Sequence, residues 1–209
     1  MTASAISELL ERAYPGRRAA LKRDILSQAL LCFNQRGVEA TTIDVVKAAV
    51  GTSVGAIYHH FGNKEGLITA LYLTALNDQA QLREQALAHA QTIEQVVNAL
   101  VTSYVDWVAS QPQWAKFLFD TRQQHKPEAL VKTLQSRNSA RNAQLFDKVK
   151  SMDGAALLQP WSPDLLPALI VGPAEHYCRA WLAGRVTLSP QRARDQLAQA
   201  AWLCLRGAI

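Results

Sequence analysis

Residues 41–61 read TTIDVVKAAVGTSVGAIYHHF, and this stretch decides the fold. Thr42 stands where a helix N-cap is expected, with Asp44 in the positive first turn of a short helix from Ile43 to Val50. Gly51 permits a tight turn, and Ser53 is placed to cap a second short helix running to about His60. Two helices of about two turns, joined through a glycine and braced by a preceding helix, make a helix-turn-helix. Val45, Val46, Ala49, Val50 and Ile57 are expected to pack inward against the Phe33 face of that preceding helix. Small residues at Ala48, Gly51 and Gly55 let the two helices cross closely. Thr52, Ser53, Val54, Ala56, Tyr58 and His59 are then left on the outer side of the second helix. The free N–H groups at its N-terminus suit an anion.

The flanks support this reading. Arg18–Arg36 has Leu21, Ile25, Ala29 and Phe33 on one helical face and Gly37 at the stop. After Phe61-Gly62, Asn63 caps a long helix from Lys64 to about His89. Thr92–Gln111 is amphipathic, with Val97, Leu100, Tyr104 and Val108 in one stripe. Pro112 opens a short aromatic helix containing Trp114, Phe117 and Leu118. Residues 127–151 read as a more polar helix and 152–161 as a loop. Ser162-Pro163 and Ser189-Pro190 each place a cap before a proline at the first helical position. The expected fold is all-α with about nine helices.

Composition narrows the function classes. With 22 Lys and Arg against 17 Asp and Glu, the formal charge is +5, which permits a nucleic-acid partner without requiring one. Within residues 1–65 the balance is only +2, from eight basic and six acidic side chains. Arg17, Arg18, Lys22 and Arg23 cluster at the entry to the first helix, where a solvated turn and a contact to flanking DNA backbone or minor groove are equal readings. Cys32, Cys178 and Cys204 lie far apart with neither a CxxC pair nor a His cluster. A disulfide framework and a metal site are therefore not expected, and a reducing cytoplasm fits. The first 18 residues carry Glu8 and Glu11 without a basic start and apolar run, so no secretory signal is expected. No apolar stretch reaches the roughly 20 residues of a membrane span.

Residues 18–67 resemble the DNA-binding domain of the TetR family of transcriptional regulators. The resemblance is carried by Ala29-Leu30 with Phe33, Arg36-Gly37, Ala40-Thr41-Thr42-Ile43, the run Gly51 to Phe61, and Lys64-Glu65. It implies a division into an N-terminal extension (1–17), a three-helix DNA-binding domain (18–65) and a helical ligand-binding and dimerisation domain (66–209). It implies that Thr42 meets a phosphate, that Thr52, Ser53, Val54 and Ala56 face the DNA groove, and that Tyr58, His59 and Lys64 hold phosphates. His60 reads better as a packing or capping residue. Val54 and Ala56 depart from the polar residues common at those positions. Readout is then expected to lean on thymine methyl groups and DNA shape rather than on an arginine reading guanine.

For the larger half the resemblance implies a homodimer and a small-molecule effector of unknown identity, with no cofactor. Leu166, Ile170 and Trp181 on one helix, and Leu197, Ala201, Trp202 and Leu205 on the last, are the expected dimer stripe. Tyr104, Trp107, Trp114, Phe117, Arg122, His125 and Tyr177 are the expected ligand-binding residues, although aromatics at helical spacing are also ordinary core. Cys178 and Cys204 read as buried small residues rather than redox sensors. No Ser/His/Asp, Cys/His or paired-carboxylate constellation adjoins the aromatics, so an enzyme is not expected. The expected function is a ligand-responsive repressor that binds a palindromic, double-stranded DNA operator as a dimer and is released by a small molecule. The alternative is a ligand-independent regulator or activator working through a protein partner.

Overall fold

Residues 2–13 form a helix, α1 (Thr2–Ala13), whose Ile6, Leu9 and Leu10 fall on one face and are buried. The computed structural model describes residues 2–123 and 128–207, with side chains described for 4–121, 130–137, 141 and 143–207. After a 3-10 turn at Arg17–Ala19 come α2 (Ala20–Arg36), α3 (Ile43–Val50), α4 (Val54–Phe61), α5 (Lys64–Ala88), α6 (Ile93–Ser110), α7 (Pro112–Gln123) and α8 (Glu128–Val149). A second 3-10 turn at Ala155–Leu158 leads to α9 (Leu166–Ile170), α10 (Gly172–Leu182) and α11 (Pro190–Arg206).

The fold is all-helical among the described residues, with eleven α-helices where about nine are expected. Two causes account for the difference. The segment read as an N-terminal extension is the amphipathic α1. The segment after Ser162-Pro163 does not helix at once: Ser162 holds the Asp164 N–H in a turn, and α9 begins at Leu166. That helix then breaks at Val171, so α9 and α10 are separate. Ser189-Pro190 does open α11 with proline in its first turn, though the serine side chain makes no capping bond.

The chain divides into two compact units, one of residues 1–78 with 111–131 and the other of 79–110 with 132–209. The core of the first unit is Ile25, Leu26, Ala29, Leu30 and Phe33 of α2 with Leu67, Leu71 and Tyr72 of α5 and Trp114 and Phe117 of α7. Phe117 stacks on Phe33 with centroids 5.9 Å apart and meets Tyr72 edge-on at 6.5 Å. Residues of this size contribute about 1.5–3 kcal/mol each when fully buried. α1 packs on α2 and α7. It is fixed by an Arg12–Asp78 ion pair at 2.8 Å and by a hydroxyl bond between Tyr14 and Thr74 at 2.9 Å.

In the second unit α11 lies along α6. Ala193, Ala198 and Ala201 of α11 and the valines of α6 are buried, and such small side chains let two helices approach closely. Arg194 bridges Asp106 and Asp195, each at 3.0 Å, and both bonds hold its pKa above the ordinary value. α8 is tied back to α5 by the Lys148 ammonium, which donates to the Leu87 carbonyl at 2.7 Å. Among the described residues no helix is long and apolar enough to cross a membrane.

Candidate nucleic-acid interface

The motif is shaped by its caps. Thr42 and Ser53 both adopt extended backbone and accept N–H groups from Val45 and Ala56 respectively, at 3.3 and 3.1 Å. Each hydroxyl accepts one bond there and keeps its own hydrogen, so either can still donate to a phosphate oxygen. Gly51 closes α3 in the left-handed region at φ 74°, as only glycine does without strain. Asn63 receives the Gly66 N–H at 2.7 Å and starts α5. The Thr41 hydroxyl, buried, donates to the Gly37 carbonyl at 2.8 Å and fixes the α2–α3 loop.

Beneath the surface lie Val46 of α3 and Ile57 of α4, both buried. Above it, Tyr58 is 47% exposed and His59 is exposed, with Ser53 and Gly55 at the same open face. Thr52, Val54, Ala56 and Lys64 are half-buried. His60 is half-buried with its ring 5.3 Å from His59 and 6.0 Å from Phe61, so it packs along the helix. Ala49, expected inside, is exposed because it borders an open groove between α2 and α3 lined also by Leu31, Cys32, Arg36, Asp44 and Ala48.

The basic cluster at the entry to α2 resolves into two kinds of residue. Lys22 lies 4.2 Å above the Tyr14 ring and 5.9 Å from that of Phe61. Arg23 donates to the carbonyls of Tyr14 and Gly16 at 2.7 and 2.8 Å. These two hold the turn together, while Arg17 and Arg18 stand exposed on it.

The residues expected to line a ligand pocket are divided between the units. Trp114 and Phe117 are core of the first unit, filled in by Phe33 and Tyr72. Trp107 is buried and Tyr104 half-buried in the second. Tyr177 donates its hydroxyl to the Leu188 carbonyl at 2.9 Å and thereby pins the loop between α10 and α11. The Arg122 side chain and His125 lie outside the described residues. The expected dimer stripe also shifts. Leu166, Ile170, Ala201 and Leu205 are buried within the chain itself, because α9 and α11 turn those faces inward. Trp181, Leu197 and Trp202 are half-buried, and the exposed apolar positions are Leu165, Leu188 and Leu203, the last at 55%. Sequence reasoning also missed Arg83, whose Nη2 is buried with no hydrogen-bond partner.

Residues 25–71 match the family described as bacterial regulatory proteins, tetR family. The transcriptional repressor AcnR of Corynebacterium diphtheriae is 35% identical over 98 residues, covering 46% of this chain and 50% of that protein. AcnR of Corynebacterium glutamicum is 43% identical over 63 residues, covering 30% and 32%. The chain thus spans about a third to a half of the length of these curated relatives. The regulator BetI of Paraburkholderia xenovorans is 28% identical over 180 residues, covering 84% of this chain and 87% of that one. Among solved structures, a TetR family regulator from Marinobacter aquaeolei superposes with a TM-score of 0.73 at 18% identity, covering 90% of this chain and 96% of the other. FadR of Bacillus subtilis in complex with stearoyl-CoA does so at 0.67 and 12%, covering 86% and 97%. These structural likenesses extend the shared fold over both units.

Proposed function

We propose that the protein is a ligand-responsive transcriptional repressor, a reading supported by the match of residues 25–71 to the tetR family of bacterial regulatory proteins. The observation that carries the reading is the pairing of two capped helices with an open outer face on α4, where Ser53, Tyr58 and His59 are exposed above a buried Ile57. A helix so mounted enters a major groove. Thr42, Tyr58, His59 and Lys64 then meet phosphates on either side, while Thr52, Ser53, Val54 and Ala56 approach base edges.

One such helix makes too few contacts for tight binding, so the protein acts as a homodimer on a near-palindromic operator, with half-sites about one helical turn apart or a multiple of it. The second copy docks on the outer face of α10 and α11, where Leu203, Trp181 and Trp202 are accessible. A small molecule bound in the second unit releases the DNA by favouring a dimer whose reading helices are wrongly spaced. It can do so only by the margin with which it prefers that state, typically about 1–3 kcal/mol.

Enrichment of fragmented genomic DNA on the purified protein at physiological salt tests the reading. Recovery of a few sites sharing an inverted repeat is the expected result. Uniform recovery that vanishes with added salt would leave only phosphate contacts and remove sequence-specific regulation.

A further inference from the structure

Arg83 sits on the part of α5 that belongs to the second unit and is half-buried. Its Nη2 atom is buried and has no hydrogen-bond partner. A donor left in that state has lost its water without gaining a partner, and the penalty is larger for a charged one. The neighbouring charges do not relieve it. Arg141 on α8 repels it, and Glu84, exposed and next in sequence, attracts it more weakly without forming an ion pair. Burial first, and then Arg141, hold the Arg83 pKa below its ordinary value. α8 also reaches this part of α5 through Lys148, whose ammonium donates to the Leu87 carbonyl four residues beyond Arg83. The seam therefore carries three cations, of which Lys148 alone is matched to a backbone acceptor there.

We infer that the α5–α8 seam of the second unit is a binding site for an oxyanion, with the guanidinium groups of Arg83 and Arg141 as its two donors. A carboxylate or phosphate group lodged between them accepts from Nη2, separates the two like charges and offsets the burial of Arg83. Guanidinium suits this role because its planar fork matches either oxyanion in two-point contact. The site names the chemistry of the effector in the function proposed above and rests on that reading for its regulatory meaning: the effector is an acid, carrying a carboxylate or a phosphate ester.

The test is the melting temperature of the full-length protein with pyrophosphate and, separately, with decanoate, at constant ionic strength set with sodium chloride. Wild type and Arg83→Met are compared, with Arg83→Lys alongside. Without ligand, Arg83→Met melts at or above wild type, because it removes an unmatched buried cation and keeps the volume. With a saturating anion wild type gains about 3 °C or more, Arg83→Lys gains less, and Arg83→Met does not respond. A response to pyrophosphate alone assigns a phosphate ester, and a response to decanoate alone assigns a carboxylate. Arg83→Met melting several degrees below wild type, or responding equally to the anion, would overturn the site. DNA affinity measured on the same samples separates the two readings. An Arg83-dependent anion response with no change in DNA binding leaves the site standing and removes the effector role. Intact DNA binding with no anion response removes the site alone.

Discussion

The ammonium of Lys64, the first residue of α5, lies 3.1 Å from the carbonyl oxygen of Glu39 in the loop before α3. One N–H is spent on that carbonyl and two remain, on the side where α4 ends. Lys64 therefore both joins the α2–α3 loop to α5 and holds a charge beside the proposed DNA path. Lys64→Ala is expected to lower affinity for every DNA sequence by a similar factor, about three- to tenfold, and to reduce the salt slope by about 1. Tyr58→Ala, at a side chain outside the buried core, is expected to weaken binding with little loss of stability. A titration across salt concentrations decides it: an unchanged slope removes Lys64 from the interface.

Gly66 shows how tightly α4 and α5 are joined. A Cβ placed there overlaps the backbone carbonyl of Phe61, which cannot swing aside as a side chain would. Gly66→Ala should cost about 2–3 kcal/mol and lower the melting temperature by about 5 °C or more. Gly55→Ala is the control, since its Cβ meets only the Ser53 hydroxyl at 3.8 Å. Alanine there should not destabilise the fold, because it is the better helix former. Equal melting of both variants would show that the junction yields.

Leu203 is the most exposed large apolar side chain of α11, on the opposite face from the buried Ala201 and Leu205. Leu203→Asp is expected to leave the monomer folded and to weaken a dimer at least tenfold, by placing like charges at a two-fold interface. Sedimentation across a concentration series reads this directly. A variant that dimerises as wild type does moves the interface elsewhere.

Cys178 is buried in the second unit, and burial, reinforced by Glu175, pushes its thiol up to about 12 from an unfolded value of 9.0. Below pH 9 both states hold the proton and the thiol has no effect on stability's pH dependence. Between about pH 9 and 12 the unfolded chain ionises first, so the native state loses about 1.4 kcal/mol per pH unit. Denaturant melts of wild type and Cys178→Ala should diverge in slope only above pH 9. Parallel curves up to pH 11 would mean that the native thiol ionises normally.

How far the sequence could be read depended on how local each signal was. The caps at Thr42 and Ser53, the left-handed Gly51 and the start of α5 at Asn63 are settled within three or four residues, and they appear where expected. The fate of Trp114 and Phe117 was not local. Whether an aromatic stripe lines a cavity or fills a core depends here on Phe33 and Tyr72, some 80 and 45 residues earlier. α11 posed the same problem in rotation. Its apolar residues wrap far enough round that Ala201 and Leu205 face α6 while Leu203 faces out. Arg83 lies in a polar stretch, and no neighbour in sequence marks it as lacking an acceptor. α1 was missed: residues 1–17 read as an extension, because nothing near Ile6, Leu9 and Leu10 shows the surface they cover.

The two units are interleaved along the chain rather than placed end to end. During synthesis the reading head emerges first, yet its core stays open until α7 arrives with Trp114 and Phe117, after the whole of α6 has been made. A nascent chain ending near residue 78 presents Phe33 and Tyr72 to water, inviting chaperones and proteases. Residues 79–110 must also close as a long loop before the first unit is complete, which slows its assembly. A head cut out at residue 78 would therefore lack Trp114 and Phe117 from its core, and a transplant should carry α7 with it.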